Sequence, residues 1–287
     1  MKISTEIDSV AKIIGEYKAV ELVAKAGFDA WDFSLFNMAR YNFSARKVTD
    51  TNHILKSNEY LKFAKELKKI GLENGIVCNQ SHAPFPSDHP PITSLLKRAI
   101  ECTAEAGGEI CVIHPGCYMT PEQNAEFYLE LLPFAKSYGV KIATENMWDW
   151  DHKKGHCFPA ACGTSEDFKA HLNALNDASF VACLDIGHAE MKGSQTTAVE
   201  LIYTLGDKLQ ALHLHDNDKL HDSHQIPFSM NIDFPPIVKA LKEIDYKGYF
   251  TLEACEFLNT YTKENVFSGV KALAESAKKL LLMFENA

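Results

Sequence analysis

Short runs rich in strand-forming residues alternate along this chain with longer amphipathic segments. In the longer segments apolar residues recur at helical spacing, most clearly over 10–26, 61–70, 92–106 and 122–138. The short runs are rich in β-branched and aromatic residues and are typical of strands; they cover 2–7, 28–35, 75–82, 109–115, 140–146, 180–187, 209–216 and 248–254. The pattern therefore predicts eight strands that alternate with helices.

Local signals support the predicted helix boundaries. A side-chain acceptor or an early proline followed by an acid is typical of a helix start, and such signals occur at Ser57 or Asn58, at Thr120 to Glu122 and at Thr164 to Glu166. Glycines that stop helices are expected just before strands, at Gly27, Gly71, Gly107 and Gly139.

The alternation is not interrupted by a linker or by a low-complexity segment, which predicts one domain over residues 1–287. A doubly wound parallel sheet is the plainer interpretation of such a pattern. Eight βα units in 287 residues favour a (β/α)₈ TIM barrel, which typically uses about 250 residues. In a barrel, the functional residues are expected at the carboxyl ends of the strands.

Composition narrows the function classes. The formal net charge of −9 argues against a nucleic-acid partner, because that affinity comes largely from Lys and Arg neutralising phosphates. The eight cysteines include no CxxC pair, which favours free thiols in a reducing compartment. No stretch has the apolar length of a signal sequence or a membrane helix, so we expect a soluble, cytoplasmic protein with no membrane partner.

Histidines and acids are concentrated where six consecutive predicted strands end. They are His82, His114, Glu145, Asp185 with His188, His213 followed by Asp222 and His224, and Glu253. Barrel strands point around a common axis, so these donors would converge from several directions, as a divalent cation requires. The donor types suit Mn²⁺, Mg²⁺, Co²⁺ or Zn²⁺ without selecting among them.

Each of these residues also has a plainer interpretation. His82 or His114 alone is more often a hydrogen-bonded structural histidine, and Asp185 alone suits a cap on the next turn. Trp148 suits loop packing as well as the apolar face of a sugar ring, and Asp218 and His221 suit a solvated loop. The agreement of six strand ends favours a shared site.

Four segments carry a resemblance to a known family. Glu145-Asn146, the Leu184 to His188 segment, the Leu212 to Asn217 segment and Leu252-Glu253 together resemble the xylose isomerase-like barrel superfamily. The resemblance implies that Glu145, Asp185, His213 and Glu253 hold one divalent metal. It also implies that Glu145 and Glu253 exchange protons with the substrate and that His188 binds a substrate oxygen.

The implied reaction is isomerisation or epimerisation of a keto-sugar or cyclitol. A metal on the carbonyl makes the neighbouring carbon-bound proton removable, and two carboxylates on opposite sides could then move it. Further candidate substrate-binding residues are His82, His114, Trp148, Lys219, Asp222 and His224. Lys219 stands where several ketose epimerases carry an arginine, so a basic contact is kept but the fork geometry is lost.

Two other functions remain open from the sequence. Endonuclease IV-type enzymes of the same superfamily use matching histidines and an Asp-x-His pair, here Asp222 to His224, to bind several zinc ions and cleave abasic DNA. A non-catalytic sugar-binding barrel, or a subunit that depends on a partner, is the third. The architecture commonly pairs through outer helices or rim loops, so a homo-oligomer is compatible with the sequence.

Overall fold

The computed structural model describes residues 1–49 and 51–287. Eight parallel strands follow one another along the described chain with helices between them. They are β1 (Lys2–Thr5), β2 (Ala30–Ser34), β3 (Val77–His82), β4 (Ile110–Val112), β5 (Lys141–Glu145), β6 (Phe180–Asp185), β7 (Leu209–His213) and β8 (Tyr249–Leu252).

Parallel pairing joins these strands into a closed cylinder. Strands β2 to β7 pair in sequence order in one sheet, and β8 pairs with β1. Parallel bridges between Glu6 and Asp32 and between Leu214 and Leu252 connect the two sheets. The protein is thus a (β/α)₈ TIM barrel, and the alternative of an open doubly wound sheet is wrong.

The helices surround the cylinder. Their α-helical bounds are Asp8–Ile14, Glu16–Ala26, Tyr60–Glu73, Pro90–Thr93, Leu96–Ala106, Pro121–Leu129, Leu132–Ser137, Ser165–Leu175, Ile186–Glu190, Ala198–Leu205, Phe234–Glu243 and Val266–Asn286. Short 3₁₀ turns occupy Phe36–Met38, Ile54–Lys56, Gly206–Lys208 and Phe257–Thr260. None of the helices in the described residues is both long enough and apolar enough to cross a bilayer.

Three predicted helices are each divided in two. The helix expected over 10–26 breaks at Gly15, whose φ of 84° lies in the left-handed region that interrupts a helix. The one expected over 92–106 is divided into the short helix Pro90–Thr93 and the helix Leu96–Ala106, and that over 122–138 restarts at Leu132. Apolar periodicity continues across each break because both halves pack on the same barrel.

The boundary signals are confirmed in part. Thr120 forms a capping box with Gln123, Thr164 accepts a hydrogen bond from the Asp167 amide, and Gly27 ends a helix in the left-handed conformation. Gly107 ends its helix in the same way, and Gly139, also at positive φ, follows the turn at Tyr138.

Two of the boundary predictions are wrong. Gly71 lies inside the helix Tyr60–Glu73, packed close to the Trp31 ring and the Ile76 carbonyl, so a buried contact explains this glycine. The same helix begins at Tyr60, and Glu59 occupies its N-cap position without a side-chain hydrogen bond. Neither Ser57 nor Asn58 is therefore its cap.

Two antiparallel hairpins stand above the carboxyl ends of the strands. The first, Arg40–Asn42 with Lys47–Thr49, follows β2, and the second, Trp148–Asp151 with His156–Pro159, follows β5. The main core lies between barrel and helices, where large side chains such as Trp31, Phe168 and Phe234 are fully buried. A smaller apolar cluster of Val112, Ala143, Val181, Cys183 and Ala211 fills the cylinder beneath its carboxyl-terminal mouth.

Candidate metal centre and active site

Four side chains from four strands converge at the carboxyl-terminal mouth of the barrel. Glu145, Asp185 and His213 are the last residues of β5, β6 and β7, and Glu253 directly follows β8. Each contributes one ligand atom, and these four atoms all lie within 4.8 Å of one another. The Nδ1 atom of His213 is 3.1 Å from Glu145 Oε2 and 3.5 Å from Glu253 Oε2.

Strand register explains this convergence. Asp185 pairs directly with His213 across β6 and β7, so their side chains leave the sheet on the same face. Glu145 pairs with Cys183, two residues before Asp185, and residues two apart on a strand share a face. Register and the period of two thus bring Glu145, Asp185 and His213 to the same side of the sheet.

These four residues fit a divalent cation. Glu145 Oε2, Asp185 Oδ2 and His213 Nδ1 are buried and have no hydrogen-bond partner. Leaving buried polar atoms without hydrogen bonds is costly, and a divalent cation that binds these atoms as ligands removes that cost. Three carboxylates and one imidazole suit Mn²⁺, Mg²⁺, Co²⁺ or Zn²⁺.

Further potential ligands flank this centre on both sides. His82 ends β3 and His114 follows β4, and their Nε2 atoms lie 3.8 and 3.4 Å from Glu145 Oε2. On the other side, Asp222 Oδ2 lies 3.3 Å from His188 Nε2 and 3.1 Å from His224 Nε2. Two groups of three residues therefore have the spacing of potential metal ligands. The His82 trio consists of His82, His114 and Glu145, and the His188 trio consists of His188, Asp222 and His224.

Burial and neighbouring charges separate the two glutamates electrostatically. Burial alone raises the pKa of Glu145, but the imidazoles of His213 and His114 hold this pKa well below its usual range. Burial raises the pKa of Glu253, and the negative charge of Glu145 adds to that rise despite the opposing effect of His213 and His224. One carboxyl group therefore favours the ionised form while the other favours the protonated form.

The surrounding histidines also differ from one another. Burial lowers the pKa of His188, but Asp185 and Asp222 overcome this effect and raise it to about 10. Burial also lowers the pKa of His224, but the charge of Asp222 outweighs this effect, so the pKa lies well above the ordinary value. Burial and the adjacent His114 lower the pKa of His82 well below that value. His188 is thus a hydrogen-bond donor held beside acids.

The remaining predicted site residues are placed differently. Trp148 lines the cavity over the donors, with its ring 6.2 Å from that of His188 in an edge-on arrangement. Lys219 is not among the residues that line this cavity; its ammonium lies 3.5 Å from Glu190. Asp218 and His221 pair with each other at 2.8 Å in the loop outside the cavity.

Sequence reasoning missed several buried polar residues around the centre. His215 is fully buried, with Nε2 3.1 Å from Asp185 Oδ1 and its ring stacked on that of His224. Asp32, near the end of β2, places Oδ2 3.7 Å from His213 Nε2. Asp32 carries the same signal as the predicted donors, because it is an acid near the end of an apolar strand.

Asp185 also joins the centre to the next helix. Its Oδ1 accepts a hydrogen bond from the His188 amide and caps the helix Ile186–Glu190. The side-chain amide of Asn146 donates to the Asp185 carbonyl, and the Asn146 side-chain oxygen accepts from the Asp185 amide. The cap and the potential ligand are therefore the same residue, and Asn146 fixes its backbone.

A cavity of about 470 Å³ lies over the donors. His82, His114, Glu145, His188, Asp222 and Glu253 line its floor, and aromatic rings of the two hairpins and nearby loops form its walls. A second cavity, of about 490 Å³, lies at the opposite, amino-terminal end of the strands around Lys141 and Gln210. The candidate site is the first, because the second contains none of the converging donors.

Known proteins are similar to this chain in sequence or in structure. A protein of Methanocaldococcus jannaschii described as uncharacterized is 27% identical over 253 residues, which are 82% of this chain and 78% of that protein. The crystal structure of a D-tagatose 3-epimerase-like protein has a TM-score of 0.73 at 23% identity, covering 100% of this chain and 99% of that chain. The structure of an L-ribulose 3-epimerase has a TM-score of 0.69 at 17% identity, covering 99% and 95%.

The match to a family model extends over most of the chain. Residues 20–278 match the model described as xylose isomerase-like TIM barrel, which includes the segments that carry the four converging donors. The chain therefore belongs to the xylose isomerase-like TIM barrel family.

Proposed function

We propose that this protein is a divalent-metal-dependent isomerase or epimerase that acts on a keto-sugar or cyclitol. The observation that carries the proposal is the meeting of Glu145, Asp185, His213 and Glu253, with ligand atoms within 4.8 Å of one another and buried atoms without partners. Structurally similar proteins described as sugar 3-epimerases support the substrate class.

The chemistry follows from the contrast between the two glutamates. A bound divalent cation would supply Lewis acidity, which makes a proton beside a carbonyl group removable. Glu145, which favours the ionised form, accepts the proton from one side of that carbon. Glu253, in its protonated form, returns a proton from the other side, and His188, whose Nε2 lies 3.3 Å from Asp222, binds a substrate oxygen.

Proton exchange tests this proposal directly. The metal-loaded protein should move deuterium from heavy water into a keto-sugar or inosose, followed by nuclear magnetic resonance. Glu253→Gln removes the group that returns the proton while keeping the shape of the side chain, so we expect formation of the epimer or isomer to fall by about a hundredfold or more, whereas Glu145 can still exchange the proton on its own side.

A surface variant serves as the matched control. Glu126→Gln makes the same chemical change on an exposed position of the helix Pro121–Leu129 and should leave both exchange and product formation intact. Unchanged formation of the epimer or isomer in Glu253→Gln, with its fold verified by circular dichroism, would refute the acid/base assignment.

The flanking donors favour a second candidate, metal-assisted hydrolysis of a phosphodiester. The His82 trio and the His188 trio adjoin the central four residues, so the site could hold more than one ion. In hydrolases with two neighbouring metal ions, the ions stabilise the attacking and the leaving oxygen. Against it, the cavity lining contains no Lys or Arg to hold a phosphate among the residues that the structure describes.

Ion counting and one substrate separate the two candidates. Mass spectrometric metal analysis should give about one ion per chain for the isomerase, together with deuterium exchange into a keto-sugar. More than one zinc ion per chain together with nicking of duplex DNA that contains an abasic site would favour the hydrolase.

A further inference from the structure

The outer part of the cavity is built differently from its floor. Three phenylalanines, Phe36, Phe43 and Phe85, line one wall, and Trp148 lines the wall beside His188. They come from separate elements: the turn after β2, the two hairpins and the loop after β3. Four aromatic rings from four segments thus face one space above the polar floor.

The phenylalanine wall is anchored on the donor histidines. The Phe36 ring lies 4.8 Å from that of His82 and 5.4 Å from that of Phe85, both edge-on. The Phe85 ring in turn lies 4.9 Å from that of His114. These contacts hold Phe36 and Phe85 in fixed positions beside any molecule bound at the floor.

Phe43 extends this wall outward. Its ring lies 6.3 Å from that of Phe85, in the turn of the first hairpin, and the residue is 63% exposed. An exposed phenylalanine that continues a row of aromatic rings leaves apolar surface in water, and such surface at a cavity mouth is typical of a ligand contact.

Charge restricts what this space can bind. Glu145, Asp149, Asp222 and Glu253 line the cavity, whereas no lysine or arginine does so within residues 1–49 and 51–287. Lys219, the nearest basic candidate from the sequence, lies against Glu190. An anionic group on the substrate would therefore find no lysine or arginine among the described lining residues to pair with, and an uncharged molecule needs none.

We propose that Phe36, Phe43, Phe85 and Trp148 form an aromatic subsite for the apolar group of an uncharged glycoside. This inference rests on the proposed function and names its substrate class: an uncharged keto-glycoside with an aryl group. The sugar ring occupies the floor beside the carboxylates, and the aryl group packs against Phe85 and Phe43.

Binding of two glycosides that differ only in the apolar group tests the subsite. Isothermal titration of the manganese-loaded protein should show phenyl β-D-glucoside binding about tenfold more tightly than methyl β-D-glucoside, since the phenyl ring adds an aromatic contact. Phe43→Ala removes the outer ring of the wall and should reduce this preference to about twofold or less.

Phe267→Ala is the matched control. Phe267 is 42% exposed on the helix Val266–Asn286 and does not line the cavity, so its removal should keep the tenfold preference. Circular dichroism spectra identical to that of the unchanged protein verify that both variants fold.

Equal affinities for the two glucosides, no measurable binding of the phenyl glucoside, or a preference that Phe43→Ala leaves intact would overturn the subsite. The titration does not depend on catalysis. If the preference holds and no keto-glycoside exchanges deuterium, the proposed function fails while the subsite stands. If deuterium exchange occurs but the two glucosides bind with equal affinity, the subsite fails while the proposed function stands.

Discussion

Asp32 shows how a single residue acquires its role from distant parts of the chain. Its Oδ2 accepts a hydrogen bond from Gln80 on β3 and faces His213 on β7 at 3.7 Å. A carboxylate behind a metal-binding imidazole fixes the orientation and basicity of that ring. Asp32 thereby belongs to the site although it is too far back to contact the cavity.

Replacing this carboxylate should weaken metal binding. Asp32→Asn removes the charge behind His213 and is expected to lower the affinity for Mn²⁺ or Zn²⁺ by about 10- to 100-fold, measured by competition with a fluorescent chelator. Asp218→Asn, at the loop pair with His221, is the control and should bind metal normally. Equal affinities in Asp32→Asn and the unchanged protein would contradict the positioning role.

Glu6 makes stability depend on pH at the scale of one side chain. It is buried after β1, where burial and the nearby Asp8 raise its pKa to about 7, although Ser9 donates hydrogen bonds to it. Because this folded-state pKa lies above that of the unfolded chain, the contribution of Glu6 to stability is complete in acid and is lost as pH rises through about 7.

Glu6→Gln should therefore alter stability increasingly as pH rises from about 4.5 to above 7. Relative to the unchanged protein, we expect the variant to gain up to about 3 kcal/mol of unfolding free energy at pH 8 and little at pH 4.5. Urea unfolding of chelator-treated protein at the two pH values measures this gain. A gain of the same size at both would show that ionisation of Glu6 is not its cause.

At the scale of elements, the short helix Ile186–Glu190 ties the centre to its surroundings. Asp185 caps this helix and also offers Oδ2 to the centre, so the end of β6 and the start of the helix are positioned together. Gly187 in the first turn must remain small, since a Cβ atom there would lie 1.9 Å from Cε1 of His215. The helix can occupy this position only because residue 187 has no side chain.

Gly187→Ala should consequently disturb both stability and the site. Overpacking against the buried His215 ring is expected to lower the free energy of unfolding by about 1–3 kcal/mol, measured by urea titration, and to weaken metal binding through Asp185. Adding His215→Ala removes the ring and should recover part of the loss. If the two changes were simply additive, the steric explanation would be wrong.

At the scale of the whole molecule, the barrel makes one centre from donors spread over more than a hundred residues. Glu145, Asp185, His213 and Glu253 are close only while β5 to β8 keep their places in the closed cylinder. The unfolded chain offers no comparable set, so a cation bound to the folded state should stabilise the entire barrel.

Metal removal should accordingly lower the melting temperature. With free Mn²⁺ at about 100 times its dissociation constant, the folded state gains about 2.7 kcal/mol relative to chelator-treated protein, which corresponds to several degrees in a domain of this size. Differential scanning calorimetry measures the shift, and Glu145→Gln should abolish most of it. A melting temperature that changes with neither metal nor chelator would contradict the binding of a cation at this centre.

The amino-acid sequence by itself determined the order of the elements and the strand ends that carry donors. Short runs rich in β-branched and aromatic residues, between segments of helical spacing, predicted all eight barrel strands, because strands covered by helices are apolar along their length. The donors at Glu145, Asp185, His213 and Glu253 were recognisable because polar residues at the ends of apolar strands stand out locally.

Only the tertiary structure decided which distant groups meet and which do not. Pairing of Asp32 with His213, stacking of His215 on His224 and the turn of Lys219 toward Glu190 depend on side-chain directions after the barrel closes. The helix breaks at Gly15 and before Leu132 were hidden because packing on one surface keeps apolar periodicity continuous across them. The local spacing of apolar residues predicts the helices and strands. Contacts between strands far apart in the chain form only when the barrel closes, and no local sequence pattern predicts them.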